Sequence, residues 1–187
     1  MVDLEVVERS RMEEQARAAQ RRVTLQLAAK RCGFRIIPAV DEWDCQYDEI
    51  LERYKFLVLD GPSKTGKTIF ARSRCPQRIQ VYEINCAAGG EPDFRDYVWL
   101  THGLILCDEI EAEAVAAQRK LFQAAPCFVQ LGTSPTNIHV YKVFVHRVRI
   151  VCASNNWVES LARLTPADRA WVVANSVHVV VDSPLWQ

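Results

Sequence analysis

Three short stretches carry side chains able to handle phosphate, a divalent cation and water. The first, "GPSKTGKT" at residues 61–68, has the spacing of a phosphate loop: glycine, four residues, glycine, lysine, then a hydroxyl side chain. Gly61 and Gly66 let backbone N–H groups turn inward on phosphate oxygens across Pro62, Ser63, Lys64 and Thr65, with the N-terminus of the following helix adding partial positive charge. Lys67 would reach the outer phosphates, and the Thr68 hydroxyl would hold Mg²⁺. The second stretch, "HGLILCDEI", ends an apolar run in Asp108 and Glu109. Asp108 would bind Mg²⁺ through its water shell or through Thr68, and Glu109 would orient and deprotonate an attacking water. The third, "VRIVCASNNW", ends in Ser154, Asn155 and Asn156. An amide beside the acidic pair can hold that water and register the outer phosphate, which makes Asn155 the sensor candidate. Plainer readings stand beside these: a strand-to-helix turn at 61–68, a helix cap at Asp108–Glu109, and a turn-forming asparagine pair.

For these residues to meet, each stretch must end a strand of one sheet. The order "FLVL", a helix from Lys67, "IQVYEIN", a helix near "FRDYVWL" and "GLILCDE" is followed by a helix at "EAVAAQRKLFQ". A β-rich stretch from Phe128 to Val145, the strand "VRIVCAS", a helix over 166–174 and a last strand "VHVVV" complete it. Strands that are apolar throughout and alternate with helices predict an α/β fold with a mostly parallel sheet between helices, of the P-loop NTPase kind. Ligands of such sheets bind outside the carboxyl ends of the strands. "IQVYEIN" is expected to lie between the phosphate-loop strand and the acidic strand, the layout of motor-type ATPases rather than nucleotide kinases.

Ahead of this unit, residues 4–31 are strong helix formers with no proline or glycine, stopping at Cys32-Gly33 as a glycine-capped helix does. Leu4, Val7, Ala16, Ala19, Val23 and Leu27 form a partial apolar stripe, suited to an exposed helix or to self-association. A second amphipathic segment, "DEWDCQYDEILERY", follows an "IIPAV" linker. The division drawn is an N-terminal helical segment over 1–52 and an ATPase domain over 53–187.

With Lys+Arg 23 against Asp+Glu 23, no bulk positive field marks a nucleic-acid binder, so such a role must rest on a local patch. The seven cysteines contain no CxxC pair and read as small buried hydrophobes of a reducing compartment rather than as disulfides or a zinc site. No apolar run approaches the roughly 20 residues that span a bilayer, so no membrane partner is expected and the chain is expected to be intracellular. Residues 9–31 are Arg-rich, but Glu13 and Glu14 count against a presequence.

Beyond the generic loop, "GPSKTGKTIFARS" resembles the phosphate loop of the replication initiator (Rep) proteins of geminiviruses and related circular single-stranded DNA viruses. Their ATPase half is a superfamily 3 helicase. The resemblance continues through "LILCDEI", "IVCASN" and "RAWVVANSVHVVVDSPLW", covering about residues 55–187. It implies a ring-forming ATPase, typically hexameric, that uses Mg²⁺ and ATP to translocate along single-stranded DNA and unwind duplex in rolling-circle-type replication. It also implies nuclear placement. Such helicases grip DNA with a β-hairpin between the acidic and sensor strands. Here that region is "LGTSPTNIHVYKVFVHRVR", with Lys142 and Arg147 as the contact candidates, against the alternative of an edge hairpin with solvated charges.

Three departures accompany the resemblance. Residues 1–55 contain no histidine, so the paired-histidine nicking domain of Rep proteins is not predicted. The arginine that ring helicases insert from a neighbouring subunit has only Arg163 and Arg169 as candidates past the sensor. Glu109 stands where the family often has a second aspartate. Two other functions stay in play: a non-catalytic nucleotide-binding relic or interaction module of a captured viral gene, and a small-molecule phosphotransferase, for which no Arg-rich lid is evident.

Overall fold

The computed structural model describes residues 33–76, 79–87, 92–132 and 140–186. The expected helix over 4–31 and the tip of the expected hairpin lie outside them.

The five residues of β1 (Phe56–Asp60) are all buried, which requires a neighbour on both edges and a layer on both faces. The sheet supplies this. Its order is β2 (Gln80–Asn85), β3 (His102–Asp108), β6 (Arg149–Ser154), β1 and β7 (Ser176–Val180), with every pairing parallel. Parallel neighbours need crossover connections. The helices that provide them are α2 (Lys67–Ser73), α3 (Ala112–Ala117), α4 (Arg119–Phe122), α5 (Trp157–Arg163) and α6 (Pro166–Asn175). A helix α1 (Pro38–Cys45) precedes the sheet, and a separate antiparallel hairpin, β4 (Phe128–Leu131) with β5 (Tyr141–Phe144), lies between β3 and β6 in the chain.

The parallel α/β architecture predicted from the alternation is present, with one exchange of strands. "IQVYEIN" does not separate the phosphate-loop strand from the acidic strand: β6 does, and β2 lies at the edge beyond β3. Burial gives the reason. From Ile150 to Ser154 β6 is buried without interruption, whereas Tyr82 to Asn85 of β2 alternate between half-buried and exposed. A strand with polar residues on one face tolerates an edge. Register then brings the functional ends level, because Asp60 lies opposite Ser154 and Asp108 opposite Ala153.

Two local expectations change. "FRDYVWL" is a chain of turns rather than a helix, since Tyr97 packs on Tyr82 and His102, and His102 Nδ1 accepts from the Val98 N–H at 3.0 Å. The helix expected through "EAVAAQRKLFQ" breaks into α3 and α4 at Gln118, where the backbone leaves helical geometry at φ −116°, ψ 39°.

"IIPAV" is no linker either, because Pro38 opens α1 and fixes φ at its first turn. Val40, Trp43, Tyr47 and Tyr54 enter the same core as the sheet, so the division at residue 52 runs through a shared core. Trp43 Nε1 donates to the Lys55 carbonyl at 2.7 Å. Tyr47 stacks on Tyr54 at 5.0 Å and receives the Arg149 guanidinium on its ring at 4.6 Å, while Arg149 pairs with Asp44 at 2.6 Å. Each fully buried aromatic or branched side chain contributes about 1.5–3 kcal/mol relative to exposure.

Of the cysteines, Cys75, Cys86, Cys107 and Cys152 are buried free thiols as expected, but Cys45 and Cys127 are exposed. Among the described residues no group of His, Cys, Asp and Glu is arranged to hold a metal by itself, and no helix is long and apolar enough to cross a membrane.

Candidate functional site

The loop from Gly61 to Thr68 leaves the buried end of β1 and opens α2, and its two glycines are required by close approach. A Cβ at Gly61 would lie 2.0 Å from the Val181 carbonyl oxygen, and one at Gly66 would lie 2.2 Å from the Trp186 ring. Gly66 also has φ +89°, a region that side-chain-bearing residues avoid. The loop then curls around its own lysine. Lys67 Nζ donates to the carbonyls of Gly61 (2.6 Å) and Pro62 (2.8 Å) and to Asn155 Oδ1 (3.0 Å). The Thr65 hydroxyl donates to the Pro62 carbonyl at 2.9 Å, tightening the curl. Burial lowers the pKa of Lys67 from its ordinary value, against the pull of Asp108, Asp60 and Glu109. Burial thus outweighs the three carboxylates, and a charged hydrogen-bond acceptor would favour the ammonium.

Asp108 ends β3 beside it. Its Oδ2 accepts from the Thr68 hydroxyl at 3.0 Å, so the hydroxyl and carboxylate expected to share a cation face each other directly. Glu109 follows with φ +57°, a left-handed conformation that costs a non-glycine residue on the order of 1–3 kcal/mol. Two backbone bonds hold that turn: Cys86 N–H to the Asp108 carbonyl (2.8 Å) and Ile110 N–H to the Ala153 carbonyl (3.3 Å). The turn leaves Glu109 exposed on the same cleft. Asn155, just past β6, is exposed there too. The cleft has a volume of about 370 Å³, and its lining includes Ser63, Lys64, Lys67, Asp108, Glu109 and Asn155. Lone glycines, a buried lysine and a facing hydroxyl–carboxylate pair fit a nucleoside triphosphate with Mg²⁺: Ser63 to Thr68 would face the phosphates, and Thr68 with Asp108 would hold the cation.

Two neighbours of this site were missed from the sequence. Asp60, the last residue of β1, is buried; its Oδ1 accepts the Trp157 N–H at 3.1 Å and its Oδ2 lies 3.3 Å from His178 Nε2. A carboxylate ending an apolar strand immediately before Gly61 was a usable signal. Trp186, which lines the cleft from the far end of the chain, gave none.

The remaining candidates are not brought to the cleft. Lys142 is exposed on β5, in register with Gln130 of β4. Arg147 lies beyond the foot of that hairpin, where its guanidinium donates to the Tyr47 carbonyl from Nε (3.2 Å) and Nη2 (2.9 Å). Arg163 pairs with Glu113 and with Glu111, the latter at 3.1 Å. Arg169 donates to the carbonyls of Leu161 (3.0 Å), Ala162 (2.8 Å) and Leu164 (3.4 Å), capping the end of α5. Both arginines considered as fingers are thus bound within their own chain.

No protein-family model matches the chain, and no curated protein matches it. Among solved structures it is similar to NtrX from Brucella abortus in complex with ADP, at 16% identity and TM-score 0.43 over 94% of this chain. A second crystal structure of NtrX from Brucella abortus overlaps at 17% identity and TM-score 0.42 over 93%. The chain spans only 42% and 43% of the length of those NtrX chains.

Proposed function

We propose that the chain binds ATP with Mg²⁺ in the cleft at the carboxyl ends of β1, β3 and β6 and hydrolyses it, as the ATPase part of a Rep-like helicase acting on single-stranded DNA. One observation carries this reading: the Thr68–Asp108 and Lys67–Asn155 contacts, both 3.0 Å, join residues that lie 40 and 88 positions apart in the chain. A mere strand-to-helix turn gives no reason for that convergence.

In this reading Lys67 leaves the loop carbonyls for the outer phosphate oxygens, exchanging neutral acceptors for charged ones. Bound Mg²⁺ would neutralise charge on the phosphates. Thr68 and Asp108 fix where that cation sits. Glu109, exposed and held by its turn, takes the proton of the attacking water, and Asn155 orients that water while staying in reach of Lys67. The β4–β5 hairpin, with exposed Lys142 and Phe128, supplies a cation and an aromatic face for single-stranded nucleic acid.

A second reading is favoured by the intrachain bonding of Arg163 and Arg169: a nucleotide-binding protein that does not turn over by itself. Steady-state ATPase activity with and without single-stranded DNA, alongside Lys67→Ala, separates the two. Turnover that DNA stimulates and the substitution removes supports the motor. Nucleotide binding with no turnover in either condition supports the second reading and overturns the helicase assignment.

A further inference from the structure

The segment after β7 is built against the phosphate loop. Val181 N–H donates to the Asp60 carbonyl at 2.6 Å, and Leu185 N–H donates to the Thr65 carbonyl at 2.9 Å. The Leu185 carbonyl accepts from Arg35 N–H at 2.8 Å, and Trp186 forms an antiparallel bridge with Phe34, whose ring meets Phe70 of α2 edge-on at 5.4 Å. Val181 and Leu185 are fully buried by these contacts. Trp186 is not: held on the same tethered strap, it stays 47% exposed.

Its surroundings say what the exposed part faces. One edge of the indole lies on Gly66, so closely that any side chain there would collide with it, and the ring borders the cleft that contains Lys67, Thr68 and Asp108. Ile69, the residue after Thr68 and three past Gly66 on the same helical turn, is itself exposed and lines the same cleft. The phosphate-loop residues thus share one cleft with an aliphatic side chain and an aromatic ring. A half-exposed indole in a fixed position is an unsatisfied stacking surface, since aromatic faces gain most from offset contact with another flat ring.

The geometry points to Trp186 as the platform for the base of the bound nucleotide, with Ile69 as the adjoining apolar wall. This rests on the nucleotide reading given above. Recognition by an indole face and an aliphatic side chain reads ring area rather than hydrogen-bonding edges. The site therefore takes purine nucleoside triphosphates in preference to pyrimidine ones and discriminates little between adenine and guanine.

The test is calorimetric binding of ATP, CTP and inorganic tripolyphosphate, each with Mg²⁺, to the full chain and to Trp186→Ala, Trp186→Leu and Trp186→Phe. The expected result is that Trp186→Ala and Trp186→Leu weaken ATP about 10- to 100-fold, leave tripolyphosphate unchanged and abolish the preference for ATP over CTP, while Trp186→Phe keeps most of the affinity. Unchanged ATP affinity in Trp186→Leu overturns the proposal. Equal weakening of ATP and tripolyphosphate also overturns it, because Trp186 would then support the loop's shape and not a base. Equal affinity of the unsubstituted chain for ATP and CTP overturns it as well. If that chain binds neither ATP nor tripolyphosphate, the nucleotide site itself falls; if it binds both and only the Trp186 effects are missing, the base platform falls alone.

Discussion

The two ends of the sheet carry clefts of nearly equal size, about 370 Å³ at the carboxyl end and about 360 Å³ at the amino end, and they differ in what their polar groups bind. At the amino end, around Ile50, Trp99, Leu100 and His146, the polar atoms are turned onto the backbone. Trp99 Nε1 donates to the His146 carbonyl at 3.0 Å, His146 Nε2 lies 3.2 Å from the Leu51 carbonyl, and Arg147 is bound to Tyr47. Such bonds tie loops together. At the carboxyl end side chains of α2 face side chains at the ends of β3 and β6: Thr68 meets Asp108, and Lys67 meets Asn155 besides the carbonyls of Gly61 and Pro62. Side chains that meet between elements can exchange one another for a ligand while the strands stay paired, so the lining rather than the volume distinguishes the two ends.

The largest effect expected from that contrast is at Lys67. Lys67→Ala should lower ATP turnover by about 10²–10³-fold or more and remove measurable nucleotide binding, whereas Arg147→Ala should leave nucleotide affinity unchanged. Calorimetry on the two variants checks it, and a loss of ATP binding in Arg147→Ala would erase the distinction between the ends.

Glu109→Gln sharpens the comparison within the carboxyl end. Turnover should fall about 10²–10⁴-fold with nucleotide affinity retained. Undiminished turnover in that variant removes Glu109 from the mechanism.

Asp60 tests whether the carboxyl end is also structural. Asp60→Ala strips the acceptor from the buried Trp157 N–H and should cost about 1–3 kcal/mol in a denaturant titration. A change within error would mean that the backbone group finds another partner.

A smaller effect follows from pH. Because burial lowers the pKa of Lys67 below its ordinary 10.5, its charge is lost earlier than that of an exposed lysine as pH rises. Nucleotide affinity should therefore decline on the alkaline side before 10.5 is reached, and Lys67→Arg should flatten any decline, since the guanidinium stays charged. In stability terms the lowered value is a cost of keeping the ammonium charged in the fold. It is present below the folded pKa and fades as pH rises through it.

The smallest effect belongs to the hairpin. Lys142→Ala should weaken single-stranded DNA binding a few-fold and reduce its salt dependence by about one counterion, with nucleotide affinity unchanged. No change in the salt slope would detach Lys142 from DNA.

Much of the carboxyl end was legible in the sequence because its parts are local. A glycine-rich turn followed by lysine and threonine needs only neighbouring residues to take shape, and an apolar run ending in Asp108 and Glu109 announces a strand end. The arginines were less legible for the opposite reason. Arg147, Arg163 and Arg169 look alike in a string, but each found carbonyls or carboxylates within its own chain, and only packing chooses among such partners. "FRDYVWL" is expected to be helical, but Phe94, Tyr97, Val98 and Trp99 have little helix preference, and the aromatic contacts of Tyr97 and His102 outweigh it.

By itself the sequence determined which segments are strands, that the sheet is parallel, and that the glycine-rich stretch from Gly61 turns β1 into a helix beginning at Lys67, because periodicity, burial and turn chemistry are properties of a few adjacent residues. The tertiary structure alone decided that β6 rather than β2 lies beside β1, that Asp60 anchors α5, and that Trp186 comes to rest on Gly66. Those outcomes join residues about 90 to 120 positions apart, and they depend on which buried strand gains most from two neighbours, a competition that no short stretch of sequence contains.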